Sequence, residues 1–357
     1  MGNNDKAREE RLAAALRENL RRRKAQARQS DAGEARDERN TQVSAMDQAQ
    51  LEEAARSGDP AAQYELGLSL LRGPATAEWP RALELIQSAS RSGYGPATER
   101  CAVFTCIGVG SPPSWKQGIA LLRQAASQGS QSARRQLDIL DADGASIEQK
   151  LRPPASRTLS ARPLIRVVEK LASPAECEWL IEPAAARLEP AYVYDSQGGT
   201  FGADPRRSNL GAVFGLVEID CVLQMVRIRI AAGIGIPVEC FEWPQVLHYA
   251  VGQEFKPHHD FLNPESEVFR AELARNGQRV ATALVYLNDG FEGGETRFPS
   301  LDLAFRGRAG DALYFTNVDP AGQPDRSTLH AGMPPTSGEK WILSQWVREC
   351  PPGAAAR

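Results

Sequence analysis

The sequence predicts an α + β protein in which an N-terminal α-helical repeat solenoid is followed by a double-stranded β-helix, or jelly roll. The first observation is a repeat of small residues with a period near 35 over residues 47–141, which is typical of paired helices. The second is a change of pattern after residue 162, where short apolar strands are separated by turn-rich segments without a helix–strand alternation. The chain of 357 residues has 24% charged and 42% hydrophobic residues, which suits two or three folded units.

Residues 1–46 form a polar tail. Leu12, Leu16 and Leu20 recur every four residues, so residues 5–28 could form a narrow amphipathic helix. The basic cluster at 21–24 could contact acidic partners, although such segments are most often solvated extensions. We therefore predict a flexible tail.

Charge and cysteine content predict the compartment and exclude some partners. The formal net charge of −3 gives no general attraction to nucleic acid, and no run of eighteen apolar residues predicts a membrane span. Six cysteines occur without a C-x-x-C pair, which favours reduced thiols over a zinc site or a disulfide framework. A cytoplasmic protein is the simplest expectation.

The repeat over 47–141 is defined by three glycines. Gly58, Gly93 and Gly129 lie 35 and 36 residues apart, and each has an alanine four residues before it and four after it. A glycine at this position can end one helix before the next begins. The pattern resembles the Sel-like branch of tetratricopeptide repeats, whose arrays bind protein or peptide partners. The equally weighted alternative is that the repeats only pack against the following domain.

The C-terminal part reads as strands with two helices. Residues 142–162, which contain glycine and two prolines, are predicted to be a linker, 163–350 the second domain and 351–357 a tail. Ser173 and Glu176 form a capping box that opens a helix to about residue 187, and 218–232 is a second helix. Strands are expected at 163–169, 243–249, 254–261, 280–287, 311–316 and 340–347.

Three potential metal ligands and a lysine give the strongest functional signal. Two imidazoles and one carboxylate, here His258, Asp260 and His330, are the set that holds Fe(II) on one face and leaves other positions open. Lys340 follows ten residues after His330, where it could bind the distal carboxylate of a metal-chelating co-substrate. This arrangement is that of an iron- and 2-oxoglutarate-dependent oxygenase.

Strand geometry separates ligands from neighbouring histidines. If residues 254–261 are extended, His258 and Asp260 point to one side and His259 points to the other. His248 lies on a preceding strand, where it alternates with Tyr249. We therefore interpret His259 and His248 as structural residues or supports of the site.

The region from about 163 to 348 resembles the catalytic domain of the prolyl 4-hydroxylases. The blocks that carry the likeness are RIA at 229–231, QVLHYAVGQEFKPHHD at 245–260, RVATALVYLN at 279–288, EGGETRFP at 292–299, GDALYF at 310–315 and HAGMPPTSGEKW at 330–341. Two departures are His248, where the family usually has arginine, and Pro335, where valine is common.

The resemblance implies a role for each matching residue. His258, Asp260 and His330 would bind Fe(II) and, with Lys340, form the catalytic group. Lys340 would hold 2-oxoglutarate, helped by the hydroxyl groups of Tyr249 and Thr282, with Trp346 lining the pocket. The expected reaction uses O₂, hydroxylates a prolyl residue in a peptide or protein, and releases succinate and CO₂, with ascorbate as a supporting reductant. Asp260 favours hydroxylation because related halogenases lack this carboxylate.

The glycine-rich segment 195–208 matches the family's substrate-covering region, and Arg206, Arg207 and Ser208 are its candidate substrate contacts. The alternative is an ordinary surface loop. Two other functions remain open: the same chemistry on a free amino acid or small metabolite, and a non-enzymatic repeat scaffold with a degenerate oxygenase domain. The complete ligand set disfavours the scaffold.

Overall fold

The computed structural model describes residues 48–73, 76–141, 144–190, 192–194, 201–203 and 207–349. The predicted tails, 1–46 and 351–357, lie outside the described residues, as does Arg206. No described helix is long and apolar enough to cross a lipid bilayer.

The N-terminal half is built from consecutive helices that pack against one another. They are α1 (48–56), α2 (Pro60–Arg72), α3 (Trp79–Arg91), α4 (Gly95–Ile107), α5 (Trp115–Ser127) and α6 (Gln131–Asp141). Gly58, Gly93 and Gly129 have φ of +91°, +83° and +94°, a left-handed conformation that L-residues other than glycine rarely adopt. Each lies in the turn between two helices, as the repeat predicts.

The predicted linker contains regular structure. A short helix, α7 (Ile147–Lys150), carries its own capping box from Ser146 and Gln149. Strand β1 (Ser156–Ala161) then pairs antiparallel with β2 (Leu164–Val168). The assignment of 142–162 as a plain linker is therefore wrong for these segments, because the backbone of β1 extends the large sheet of the second domain.

The second domain begins with strands β1 and β2 and the helix α8 (Pro174–Ala185), whose capping box from Ser173 and Glu176 is confirmed. The helix predicted at 218–232 is α9 (Cys221–Ile234), which starts later because Asp220 caps it. The chain also forms a helix that was not predicted, α10 (Glu267–Asn276).

The other strands are distributed among several sheets. They are β3 (Glu189–Pro190), β4 (Tyr192–Tyr194), β5 (Phe201–Ala203), β6 (Leu210–Val213), β7 (Gln245–Tyr249), β8 (Phe255–His258), β9 (Arg279–Tyr286), β10 (Glu292–Gly293), β11 (Thr296–Phe298), β12 (Leu303–Phe305), β13 (Ala312–Thr316), β14 (His330–Gly332), β15 (Pro335–Ser337) and β16 (Lys340–Arg348).

Two antiparallel sheets form the predicted roll. The large sheet has the order β1-β2-β13-β9-β16-β7-β6-β3, and the smaller one has the order β12-β11-β14-β8. One apolar core lies between them and includes Tyr249, Phe298 and Phe315. A second core packs α8 and α9 on the other side of the large sheet. The site described below lies between the two sheets.

Helix α9 also belongs to the core of the repeats. Cys221, Val222 and Met225 are fully buried in one apolar cluster with side chains of α4, α5 and α6. The backbone N–H of Cys221 donates to Oε1 of Gln136 at 3.0 Å, and Nη1 of Arg100 donates to the carbonyl of Ile219 at 2.8 Å. The repeats therefore pack directly against the second domain.

The cysteines depart in part from the expectation of reduced thiols. Cys101, Cys106, Cys177 and Cys221 are free, whereas Cys240 is disulfide-bonded. The prediction of a chain with reduced thiols throughout is therefore wrong at Cys240.

Candidate active site

The three predicted ligands meet between the two sheets. His258 ends β8, Asp260 follows two residues later, and His330 starts β14, where its Cα pairs with that of His258. One potential ligand atom from each side chain lies within 4.8 Å of the other two. Nε2 of His258 is 3.6 Å from Oδ1 of Asp260, and Nε2 of His330 is 3.6 Å from Oδ2. Asp260 lies just beyond the strand rather than on it, so its position depends on more than strand alternation.

Hydrogen bonds to backbone carbonyls fix the tautomers of both histidines. Nδ1 of His258 lies 2.8 Å from the carbonyl of Lys256, and Nδ1 of His330 lies 3.0 Å from that of Thr328. A carbonyl only accepts, so each Nδ1 carries a proton, and each Nε2, the ring atom left to bind a metal, faces the carboxylate of Asp260. The 3.6 Å separations are too long for hydrogen bonds. A divalent cation would complement these converging lone pairs, so the residues fit a metal ion.

The pKa values of His258 and Asp260 are shifted toward the protonation states that bind a cation. Burial, followed by the neighbouring His330, lowers the pKa of His258 to about 3, so its ring stays neutral at physiological pH. Burial alone would raise the pKa of Asp260, but the two histidines and the hydroxyl of Thr282 lower it by more, to below its usual range. Neutral imidazoles and an ionised carboxylate are the protonation states in which these side chains bind metals.

Asp260 is held by a buried hydroxyl. Oγ1 of Thr282 donates to Oδ2 of Asp260 at 2.7 Å, and Nδ2 of Asn317 donates to Oγ1 of Thr282 at 3.0 Å. Thr282 does not line the cavity that contains Lys340. The prediction that Thr282 helps to bind 2-oxoglutarate is therefore corrected, because its hydroxyl group faces the metal carboxylate instead.

Lys340 lies in the same cavity as the three ligands. Its side chain is fully buried, and Nζ donates to the carbonyl of Gly294 at 2.7 Å and lies 5.1 Å from the ring centre of Tyr249. Burial lowers the pKa of Lys340 to about 7, partly offset by Glu295. The described carboxylates do not form a salt bridge with this ammonium, so an anionic ligand would complete its surroundings.

The remaining cavity wall is mostly apolar and includes two other predicted residues. Tyr249 and Trp346 both line it, and burial raises the pKa of Tyr249 to about 12, so its phenol remains a hydrogen-bond donor. Thr296 also lines the cavity and was missed, although the GGET block that contains it was visible in the sequence. The complete lining is Arg207, Leu247, Tyr249, Phe255, His258, Asp260, Leu284, Thr296, His330, Gly332, Lys340, Ile342, Ser344 and Trp346.

Of the three candidate substrate contacts, Arg206 lies outside the described residues, whereas Arg207 and Ser208 lie within them. Arg207 is buried against the cavity, with its guanidinium 4.6 Å from the ring centre of Phe255, which in turn stacks on His258 at 3.4 Å. Ser208 is exposed, and its hydroxyl donates to the backbone carbonyl of Glu254 and accepts from the backbone N–H of the same residue. Arg207 thus reaches the cavity, whereas Ser208 ties its segment to the start of β8.

The other two described histidines, His259 and His248, do not belong to the metal group, by which we mean His258, Asp260 and His330. His259 contacts the carbonyl of Arg326 through Nε2 at 3.0 Å. His248 pairs with Glu339 at 2.8 Å and packs on the ring of Trp341. Both rings have partners other than the converging ligand atoms. Strand alternation accounts for His248, which lies within β7, whereas His259 lies past the end of β8.

Comparison with known proteins agrees with this geometry. The sequence profile of the 2OG-Fe(II) oxygenase superfamily matches residues 244–348. Prolyl 4-hydroxylase 1 of Arabidopsis thaliana is 36% identical over 205 residues, which cover 54% of this chain and 71% of the plant protein. The chain belongs to the prolyl 4-hydroxylase family. It is a 2-oxoglutarate-dependent dioxygenase that uses Fe(II).

Two solved structures are also similar to parts of the chain. A viral collagen prolyl hydroxylase from Paramecium bursaria Chlorella virus-1, in complex with 2-oxoglutarate, is 28% identical with a TM-score of 0.41, covering 52% of this chain and 96% of that one. A Sel1 repeat protein from Oxalobacter formigenes is 20% identical with a TM-score of 0.24, covering 28% of this chain and 45% of that one.

Proposed function

We propose that this protein hydroxylates a prolyl residue in a peptide or protein, consuming O₂ and 2-oxoglutarate and releasing succinate and CO₂. The observation that carries the proposal is the meeting of His258, Asp260, His330 and Lys340 in one buried cavity. The family relationship supports the choice of proline, since the Arabidopsis thaliana relative is named a prolyl 4-hydroxylase.

Different residues of the cavity bind the metal and the co-substrate in this proposal. We propose that His258, Asp260 and His330 hold Fe(II), which supplies the oxidising chemistry once 2-oxoglutarate and O₂ are present. Lys340 binds the distal carboxylate of 2-oxoglutarate, because a buried ammonium gains most from an ionic partner that excludes water. Tyr249 lies beside it as a neutral phenol, whose hydroxyl can donate a hydrogen bond to the same carboxylate.

The wall of the cavity sets the orientation of the two substrates. Thr296 lines the cavity, with its hydroxyl 2.9 Å from the hydroxyl of Tyr286, and Trp346 closes the wall with apolar side chains from β7, β9 and β16. These apolar surfaces exclude water, which strengthens each polar contact inside.

We propose that Arg207 contacts the substrate, together with Arg206 and Ser208. A guanidinium at the cavity suits a peptide carbonyl or a carboxylate, because it offers several donors in one plane. A free amino acid would present a carboxylate to the same group, so the small-molecule alternative is tested in the same assay. The repeat scaffold without activity is not favoured, because every ligand of the metal group is present.

A peptide library tests the proposal directly. The purified protein is incubated with Fe(II), 2-oxoglutarate, ascorbate and O₂, and products are screened for the gain of one oxygen atom on proline. Labelled O₂ should place one atom in the product and one in succinate, and the His258→Ala variant is the control. Hydroxylation of free amino acids without any peptide product would favour the small-metabolite alternative. Omitting ascorbate tests whether it supports turnover, as we propose.

We further propose that the repeats recruit a protein partner through the surface that does not pack on the oxygenase domain, and that the protein is cytoplasmic. The resemblance of the repeat sequence to arrays that bind proteins supports the first proposal. The free thiols of Cys101, Cys106, Cys177 and Cys221 support the second, whereas the disulfide at Cys240 is the observation against it. Recruitment is tested by charge reversal at exposed residues such as Lys116, with action on short peptides as the control. Cell fractionation tests the location.

A further inference from the structure

A chain of two hydrogen bonds connects the carboxylate of Asp260 to two buried side chains that are not among the proposed metal ligands. Asp260 lies two residues past the end of β8, where the strand no longer fixes it. Thr282 on β9 and Asn317, which follows the last residue of β13, are both fully buried behind it. The sheet pairs Phe315 with Thr282, so the two side chains come from adjacent, hydrogen-bonded strands.

The donors in this chain of hydrogen bonds can point only one way. Asp260 is an acceptor, so the single hydroxyl proton of Thr282 goes to its Oδ2. The oxygen of Thr282 is then free only to accept, which requires the amide N–H of Asn317 to face it. The backbone of Asn317 is fixed as well, because its N–H donates to the carbonyl of Val280 and its carbonyl accepts from the N–H of Asp325.

We infer that Thr282 and Asn317 are positioning residues, which hold Oδ2 of Asp260 and so fix the orientation in which its carboxylate meets the metal. This inference rests on the proposed metal site. A carboxylate that ligates through one oxygen leaves a coordination position that two-oxygen ligation would occupy, and the co-substrate needs such open positions. Hydrogen bonds to a metal-ligating side chain orient that side chain and tune the affinity of the site for the metal.

The test measures metal binding, which needs no knowledge of the substrate. Mn(II), a redox-stable probe, is titrated into the anaerobic full-length protein by calorimetry, without 2-oxoglutarate and with it. Thr282→Val removes only the hydroxyl, and it should weaken Mn(II) binding about 10- to 100-fold. Thr282→Ser restores the hydroxyl and should restore affinity to near the original value. Thr98→Val, at another fully buried threonine, is the matched control and should not change it.

A double-mutant cycle separates the relay from general damage to the fold. If Asn317 acts through Thr282, then Asn317→Leu should lower affinity less than Thr282→Val, and the double variant should match Thr282→Val alone. Fully additive losses, or Mn(II) binding unchanged in Thr282→Val, would overturn the inference. Absence of Mn(II) binding by the unaltered protein would instead contradict the proposed metal site. If Thr282→Val fails to fold, Asn317→Leu decides alone: it should weaken Mn(II) binding while Thr282→Ser does not, and unchanged binding in Asn317→Leu would overturn the inference.

The anaerobic complex with Fe(II) and 2-oxoglutarate gives a spectroscopic readout. Its visible charge-transfer absorption reports how 2-oxoglutarate chelates the metal. We expect Thr282→Val to shift or weaken this absorption at saturating Fe(II), because a rotated carboxylate competes for the same position. An unchanged spectrum at full metal occupancy would show that Thr282 affects stability rather than ligand orientation.

Discussion

Replacing Lys340 by methionine should make the protein more stable and its 2-oxoglutarate binding much weaker. Burial lowers the pKa of this lysine from 10.5 to about 7. At about 1.4 kcal/mol per pKa unit, keeping the ammonium charged at this position costs on the order of 5 kcal/mol. Methionine fills a similar volume without a charge. We therefore expect Lys340→Met to unfold with a free energy about 1–4 kcal/mol higher in the absence of 2-oxoglutarate.

The same substitution removes the ionic partner that we propose for the co-substrate. Loss of a charge-assisted contact to a buried carboxylate costs about 2–5 kcal/mol, or roughly 30- to 5,000-fold in affinity. Urea unfolding with and without 2-oxoglutarate measures both effects, with Lys116→Met, at an exposed lysine, as the control. A destabilised variant that keeps its 2-oxoglutarate affinity would refute the reasoning. Arg348 and Arg297 would then be the next candidates, although neither lines the cavity.

Three other predictions follow from the same geometry. Alanine at any one of the three proposed metal ligands should abolish metal binding in a titration, whereas His259→Ala should keep it, because that ring bonds the carbonyl of Arg326. Affinity for 2-oxoglutarate should be full below pH 7 and fall up to about tenfold per pH unit above it, since the ammonium of Lys340, with its pKa of about 7, must be charged to bind. Deletion of residues 1–150 should give aggregated protein on size exclusion, because it uncovers the buried side chains of α9; a monomeric, active fragment would contradict this.

The sequence was sufficient to predict the metal group, because residue types and spacing carry that signal. His258 and Asp260 are close along the chain, and strand alternation excludes His259. The same reasoning could not predict what the hydroxyl group of Thr282 would bond. That depends on how far Asp260 lies past the strand, and the end of a strand is among the least certain features of a sequence.

The strand in the predicted linker and the short strands could not be predicted from the sequence for a different reason. Strand β1 is polar and largely exposed at the sheet edge, so its side chains show no apolar alternation. Its place is fixed by backbone hydrogen bonds to β2, which any sequence can make. Short strands such as β10 and β15 have two or three residues and likewise leave no periodic signal.

The packing of α9 resolves part of the choice that the sequence left open for the repeats. One end of this helix buries Cys221, Val222 and Met225 among repeat side chains, while Leu223 and Val226 face the core of the oxygenase domain. A single helix thus completes two cores, and neither half can be removed without exposing apolar surface to water. The repeats are therefore a structural support of the oxygenase domain, whatever else they bind. Recruitment of a partner has to use the outer surface of the array, where binding energy would act by raising the local concentration of substrate near Arg207.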